Sequence, residues 1–541
     1  MKRFAIAAVL LALCACSKAS GPTEGGRVNN WTVPHVFRFT NAADISTLNP
    51  MFSQEFQLGY MSSLTQAFLV KWDHHNLPYP ELATEVPTQA NGGVSKDGLT
   101  ITYHLRHGLR WSDGAPLNAD DVVFTYHAIM NPANNVVSRA GWDRIVRVDE
   151  PNKYTIVFHL SKPYSPFVVT FFSSTGANPS ILPKHLLAKY SNLNKVAYNA
   201  LPIGAGPFKY KEWDREQKVV MVPNPYYFRG QPKLKEIDFM IVPNRDTVFT
   251  QISAHEIDMW AHVPGSYYSR LPELSGYTGQ ARPTYQWGHI DFNLSHPVVR
   301  DPVVRYAIEL ATDRKTIIDK FQLGLGILQE GIAPRTAPYY LPNIPLVPFD
   351  IAKANTLLDA DGWKRGSDGI RAKNGMKLNL NFAAIAGAVN VDHEIEYLRS
   401  TWKQIGVGID VHHYPNPMFF GAYADGGILY SGKWDVTLYN WIDDPIGDFS
   451  YLYACNQIPP NGQNVIHWCN PQADAATRAV FSHYDQAQRN ADDAVIFKAL
   501  AHDRPQITIL GVEEGYIYNK DLKNFHPNDV SPFDDFMNVD I

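Results

Sequence analysis

The sequence is poor in cysteine, in charge and in long apolar runs. Four cysteines in 541 residues do not make a disulfide-dense scaffold, and without two close-set cysteine pairs they do not make a zinc site of that type. Charged residues are 19% of the chain and the net charge is -5, which excludes the strongly basic surface of a nucleic-acid binder. Past Leu13 no apolar stretch approaches the roughly 20 residues that a membrane-spanning helix needs. No Gly-x-Ser-x-Gly elbow and no His-Glu-x-x-His spacing occurs, so a secreted hydrolase, the rival class, would have to assemble its site without a local motif. The length exceeds the roughly 250 to 300 residues at which a single core stops growing, which predicts two or more domains.

What is present begins at the N-terminus. Lys2 and Arg3 precede an apolar run from Phe4 to Leu13, followed by Cys14-Ala15-Cys16. A positive start, a short apolar stretch and a small residue before cysteine have the form of a bacterial lipoprotein signal peptide over 1–16. Cys16 is the expected lipidated residue; Cys14 suits less, because bulky Leu13 precedes it. Residues 17–32 open with a small, polar, Gly-rich stretch suited to a flexible tether. The expected location is the periplasm or the cell surface, with a lipid holding the chain to a membrane. In that oxidising setting Cys455 and Cys469 are most simply one disulfide, and Pro459-Pro460-Asn461-Gly462 between them lets the chain turn back.

Strand and helix patterns alternate along the chain, which predicts an α/β body. Leu99–Leu105 and Tyr154–Leu160 are β-branched and aromatic runs introduced by turn residues. Asn118 is placed to cap a helix whose first turn carries Asp120 and Asp121. Ile395, Leu398, Trp402 and Ile405 recur at helical spacing before Gly406, and Val407–Val411 reads as a strand. A further helix through Ala494 and Ala501 ends before Pro505, and Gln506–Val512 is strand-like.

These residues carry a resemblance. Tyr103 to Phe124, with Trp111-Ser112-Asp113-Gly114 and Asn118-Ala119-Asp120-Asp121, is similar to the signature of the extracytoplasmic solute-binding proteins of peptide/nickel ABC importers. Gly204-Ala205-Gly206-Pro207-Phe208, Asn224-Pro225-Tyr226-Tyr227 and Val303 to Arg314 follow in family order, and the similarity runs to about Phe525. It implies a two-lobed binding-protein fold with a hinge and an extra subdomain: a first lobe from 33–70, 188–287 and 490–541, an inserted subdomain at 71–187, and a second lobe at 288–489. It also implies a peptide, more specifically an oligopeptide, as ligand, with permease and ATPase subunits of an importer as partners. No covalent chemistry and no cofactor are implied, and the working unit is expected to be a monomer. A non-peptide solute such as a metal chelate or an oligosaccharide is the alternative ligand.

Caps and turns account for the signature residues themselves, so a scaffold role is expected there. The site is expected in Tyr439-Asn440-Trp441-Ile442-Asp443-Asp444-Pro445. In peptide-binding relatives an aspartate shortly after a tryptophan in this loop meets the ligand's α-ammonium group, a role that suits a carboxylate because charge-assisted bonds offset desolvation of the cation. Either Asp443 or Asp444 matches; Asp443 is favoured. Tyr285, Trp287, Tyr439 and Trp441 are expected to line ligand pockets. Ala383–Val391 holds no basic residue where dipeptide binders carry an arginine, and Leu438 stands where the oligopeptide binder has one, which predicts loose recognition of the ligand's far end. No metal site is expected: His74-His75 and His412-His413 are adjacent pairs that would point to opposite faces of strands.

Overall fold

The fold is organised by two long antiparallel strands, Tyr277–Phe292 and Gln506–Asn519, at the centre of an eleven-stranded sheet among the described residues. The structure, a computed structural model, describes residues 28–541 except 54, 140, 176–177, 330, 388 and 443–444. The N-terminal segment with Cys16 lies outside the described residues, and so do Asp443 and Asp444.

On one side of the central pair the sheet continues through Met259–Val263, Val36–Thr40, Glu236–Met240, Lys218–Pro223 and Phe208–Asp214. On the other it continues through Val436–Ile442, Asn379–Ile385 and Gly408–Tyr414. Separate cores form at the two ends. Phe37, Phe39, Met61, Met221, Phe239 and Phe533 pack in the first; Ile290, Phe292, Ile308, Leu398 and Trp402 pack in the second. The fold is therefore mixed α/β and two-lobed, as expected.

Between the lobes the sheet narrows. Met259–Val263 reaches the strand Gln506–Asn519 only at Gly515 to Tyr518, and Val436–Ile442 reaches Tyr277–Phe292 only from Gln286 onward. Across residues 283–285 and 511–514 the two long strands run, among the described residues, with only Gly326–Ile327 beside them. Their register slips there: Pro283 faces Glu513, but Trp287 faces Gly511. Extra residues in one strand of a ladder bend and twist it locally.

A third core belongs to residues between the first lobe's segments. A three-stranded sheet of Thr100–His104, Thr155–Leu160 and Ile145–Asn152 is covered by the helix Ala119–Met130, and Trp111, Val122, Ile129, Ile156 and Phe158 are sealed between them. The helix starts as the sequence predicts. Asn118 accepts from the Asp120 backbone N–H at 2.9 Å, and Asp121 accepts from the Asn118 N–H at 3.0 Å. Gly204 and Gly206 press against the helix Phe56–Thr65: a Cβ at Gly204 would lie 1.8 Å from the Thr65 carbonyl oxygen, and one at Gly206 2.5 Å from that of Leu64. Close packing accounts for both glycines.

The histidine pairs differ from one another. His412 and His413 lie in a strand, where His413 Nε2 is 2.8 Å from Asp392. His74 and His75 lie in the turn after Val70–Trp72, with ring centroids 3.9 Å apart, so the expectation of a strand there is corrected: Asp73 accepts the His75 and Leu77 N–H groups and ends the strand.

Candidate functional site

Alternation along two paired strands gathers the aromatic residues singled out in the sequence. Tyr285, Trp287, His289 and Asp291 share one face of Tyr277–Phe292, and Tyr439 and Trp441 share that face of Val436–Ile442. Cross-strand register puts Trp287 opposite Trp441 and His289 opposite Tyr439. The opposite face of the same pair carries Ile290, Phe292, Val436 and Leu438 into the second lobe's core. Leu438 therefore points away from the aromatic face.

Three of the four rings are sealed. Trp287 is 1% exposed, Tyr285 5% and Tyr439 5%; only Trp441 is half-buried, with its indole N–H donating to the Tyr451 hydroxyl at 3.1 Å. Next to it Ile442, on the opposite face of the strand, is exposed, so the strand reaches the surface at its end.

Beneath the rings lies a polar group that sequence reasoning missed. Tyr439 donates to Asp291 Oδ2 at 2.8 Å, and His289 Nε2 is 3.5 Å from the same oxygen. Burial and the Asp291 charge hold the Tyr439 phenol well above its ordinary pKa. A small cavity of about 10 Å³, enough for one water, is lined by Trp287, His289, Asp291 and Gln506 together with Gln463 and Val465 of the loop between the cysteines. Trp287 Nε1, His289 Nδ1, Asp291 Oδ1 and Gln506 Nε2 have no protein partner there. The alternation of His289 and Asp291 with Ile290 and Phe292 was the available signal: two polar residues on the face opposite two apolar ones.

Both flanks of the 443–444 loop are fixed. Before it, strand pairing holds Trp441 and Ile442. After it, Pro445, Ile446 and Gly447 are buried, and Phe449 packs edge-on against Phe497 and Tyr339. Gly447 has φ +78°, and a Cβ there would crowd Tyr339 at 3.0 Å, so this turn requires glycine. Cys455 and Cys469 form a disulfide with Cα atoms 4.8 Å apart, bracing the loop that walls the small cavity. A larger recess of about 640 Å³ lies elsewhere in the second lobe, between the helix Gln486–Asp503 and residues 341–348. None of the sequence-predicted site residues lines it.

Two lobes joined by a narrow ribbon are the arrangement of a two-lobed binding protein, and comparison with known proteins agrees. Residues 78–462 match the model of bacterial extracellular solute-binding proteins, family 5. The chain belongs to this family. Protein XP55 of Streptomyces lividans is 28% identical over 81% of this chain and 77% of its own. The oligopeptide-binding protein AppA of Bacillus subtilis is 23% identical over 92% of this chain and 90% of its own. The structure of NikA from Brucella suis in complex with Fe(III)-EDTA superposes with a TM-score of 0.78 at 20% identity, covering 93% of this chain and 99% of that one; that of AppA with a nonapeptide gives 0.68, covering 92% and 97% at 22% identity. Among the described residues of this family 5 member no three His, Cys, Asp or Glu side chains come together in a way that could hold a metal ion. No described helix is long and apolar enough to cross a membrane.

Proposed function

We propose that this protein is the lipid-anchored binding component of an ABC importer, capturing oligopeptides between its lobes outside the cytoplasm and presenting them to a permease powered by ATPase subunits. Family membership supports a solute-binding role without covalent chemistry, and the similarity over 92% of the chain to an oligopeptide-binding protein supports the ligand class. Cys16 would carry the lipid, and the protein would act as a monomer in the periplasm or at the cell surface.

In this reading the observation that carries most weight is Trp441, the one aromatic ring of the set that reaches the surface, at the end of the strand that precedes Asp443 and Asp444 in the sequence. Asp443, or Asp444 beside it, takes the ligand's ammonium group, which needs both a counter-charge and acceptors when desolvated. Trp441 provides an apolar wall, with Tyr439 edge-on to it at 5.9 Å and Trp287 and Tyr285 buried on the same face. Ala383–Val391 offers no basic residue, so the ligand's carboxylate end is read loosely and longer peptides are preferred to dipeptides. The ribbon at 283–285 and 511–514 is the hinge, which puts the second crossing between lobes after residue 510 rather than at 490.

The test is to purify the exported protein gently, denature it and identify released molecules by mass spectrometry. A mixed set of peptides is the expected result. A single metal chelate would favour the second reading, which the fold-level similarity to the Fe(III)-EDTA complex of NikA raises, and would remove the role given to Asp443.

A further inference from the structure

The hinge ribbon is not the only link between the parts of the molecule. Residues 480–484, between the helices Pro471–Ala479 and Gln486–Asp503 of the second lobe's side, are seated on the inserted subdomain. Ser165 donates its N–H to the Phe481 carbonyl at 2.9 Å and its hydroxyl to that of Val480 at 2.8 Å. The Tyr484 hydroxyl donates to the Gly98 carbonyl at 2.9 Å and accepts from the Tyr164 N–H at 3.1 Å. A Cβ at Gly98 would lie 2.4 Å from the Tyr484 ring, so glycine is required for that seat. The rings of Tyr164 and Phe481 stack at 5.6 Å, and the Arg144 guanidinium covers both, 4.7 Å from the first centroid and 5.3 Å from the second.

A carboxylate elsewhere in the chain feels the charge of the same arginine. Asp448, four residues after Asp444, accepts from the Ser450 N–H and hydroxyl at 2.9 and 2.6 Å. Burial raises its pKa, while its bonds to Ser450 and the positive charge of Arg144 act the other way. The arginine that covers the aromatic seat of 480–484 thus also contributes a favourable charge at Asp448.

We infer that the seat of residues 480–484 on the inserted subdomain is a closure latch, and that Arg144 is a positioning residue that holds the Tyr164–Phe481 ring pair of that seat in place when the lobes are together. The inference rests on the reading of the interlobe region as the ligand cleft. Two lobes joined by a narrow ribbon are held at a given angle by whatever contacts form away from it. Here those contacts are a stacked ring pair covered by a cation and four hydrogen bonds, and opening the hinge must slide or break them.

The experiment compares wild type with Arg144→Ala, Arg144→Lys and Tyr484→Phe. The last removes both hydroxyl bonds without leaving a cavity, so it remains informative where an alanine variant fails to fold. Small-angle scattering without ligand is expected to give a larger radius of gyration for Arg144→Ala and Tyr484→Phe than for wild type. Stopped-flow release of a synthetic nonapeptide with free termini is expected to be about tenfold faster in Arg144→Ala, the size of one lost cation–π and charge contact, and Arg144→Lys, which keeps the charge, is expected to fall between. Unchanged scattering in both variants would overturn the latch. Faster release in Arg144→Ala with no recovery in Arg144→Lys and no change in scattering would reduce Arg144 to packing and overturn its positioning role. Failure of wild type to bind the nonapeptide would count against the peptide reading alone, because the scattering comparison needs no ligand.

Discussion

Trp287 stands directly opposite Trp441 across two antiparallel strands, one ring sealed and the other reaching the surface. The pair marks where the aromatic core of the second lobe becomes the wall of the candidate cleft. The two positions should therefore separate stability from binding. Trp287→Ala is expected to cost about 3 to 5 kcal/mol of stability, as large aromatic truncations in cores do. Trp441→Ala is expected to leave the denaturation midpoint nearly unchanged and to weaken nonapeptide binding about tenfold, the loss of one half-buried aromatic contact. Chemical denaturation and calorimetric titration of both variants check this; equal stability losses would show that Trp441 is core.

Asp443 and Asp444 can be distinguished by the ligand's N-terminus. If Asp443 meets an ammonium group, Asp443→Ala should weaken binding of a free-amine peptide by about tenfold to a hundredfold, the range of a charge-assisted bond. The N-acetylated peptide should bind wild type and Asp443→Ala alike. The same pattern in Asp444→Ala, with Asp443→Ala silent, would move the role by one residue.

Much of the framework was legible because short-range physics dictates it. Asn118 caps the helix Ala119–Met130, Thr155–Leu160 forms within the expected run, and Gly406 separates the helix Val389–Lys403 from Gly408–Tyr414. The central strands were harder to read. Gln506–Val512 is expected from its apolar residues, but the strand continues to Asn519 through Glu513, Glu514 and Gly515, which break the apolar pattern and are held by pairing with residues 281–283. Pro283 likewise hides the strand Tyr277–Phe292. At the site, Tyr285, Trp287, Tyr439 and Trp441 were legible as a set of aromatic residues, but the depth of their burial depends on distant partners, Tyr339 and Phe449 for Tyr285 and Trp287 and Phe419 and Val465 for Tyr439, packing around them. That is a long-range fact no local pattern carries.

The disulfide was legible from compartment and loop composition, and it braces the wall of the small cavity. Closing a loop of this length is worth about 3 kcal/mol in the chain-entropy model, for the sequence separation of 14 between Cys455 and Cys469. The variant with both cysteines replaced by serine should be destabilised by about that amount in urea unfolding. Equal stability of reduced and oxidised protein would contradict it.

Glu394 makes the stability of the second lobe depend on pH. It is 4% exposed in the helix Val389–Lys403, and burial pushes its pKa up to about 7, against a 2.6 Å bond from Gln322 Nε2 that lowers it. Below the unfolded value of 4.5 both states hold the proton and the group contributes no penalty. As pH rises from there the unfolded chain ionises while the folded protein must keep its proton or bury a charge, so stability falls until pH passes about 7. Asp534, also raised to about 7 by burial, adds a slope of the same sign, and the informative quantity is therefore the difference between variant and wild type. Glu394→Gln retains an acceptor for Gln322 and cannot ionise. It should match wild type near pH 4 and exceed it by about 3 kcal/mol at pH 8, the product of the shift and 1.36 kcal/mol per unit. Urea unfolding across that range measures the difference, and parallel curves for the two proteins would mean that Glu394 reaches water when ionised.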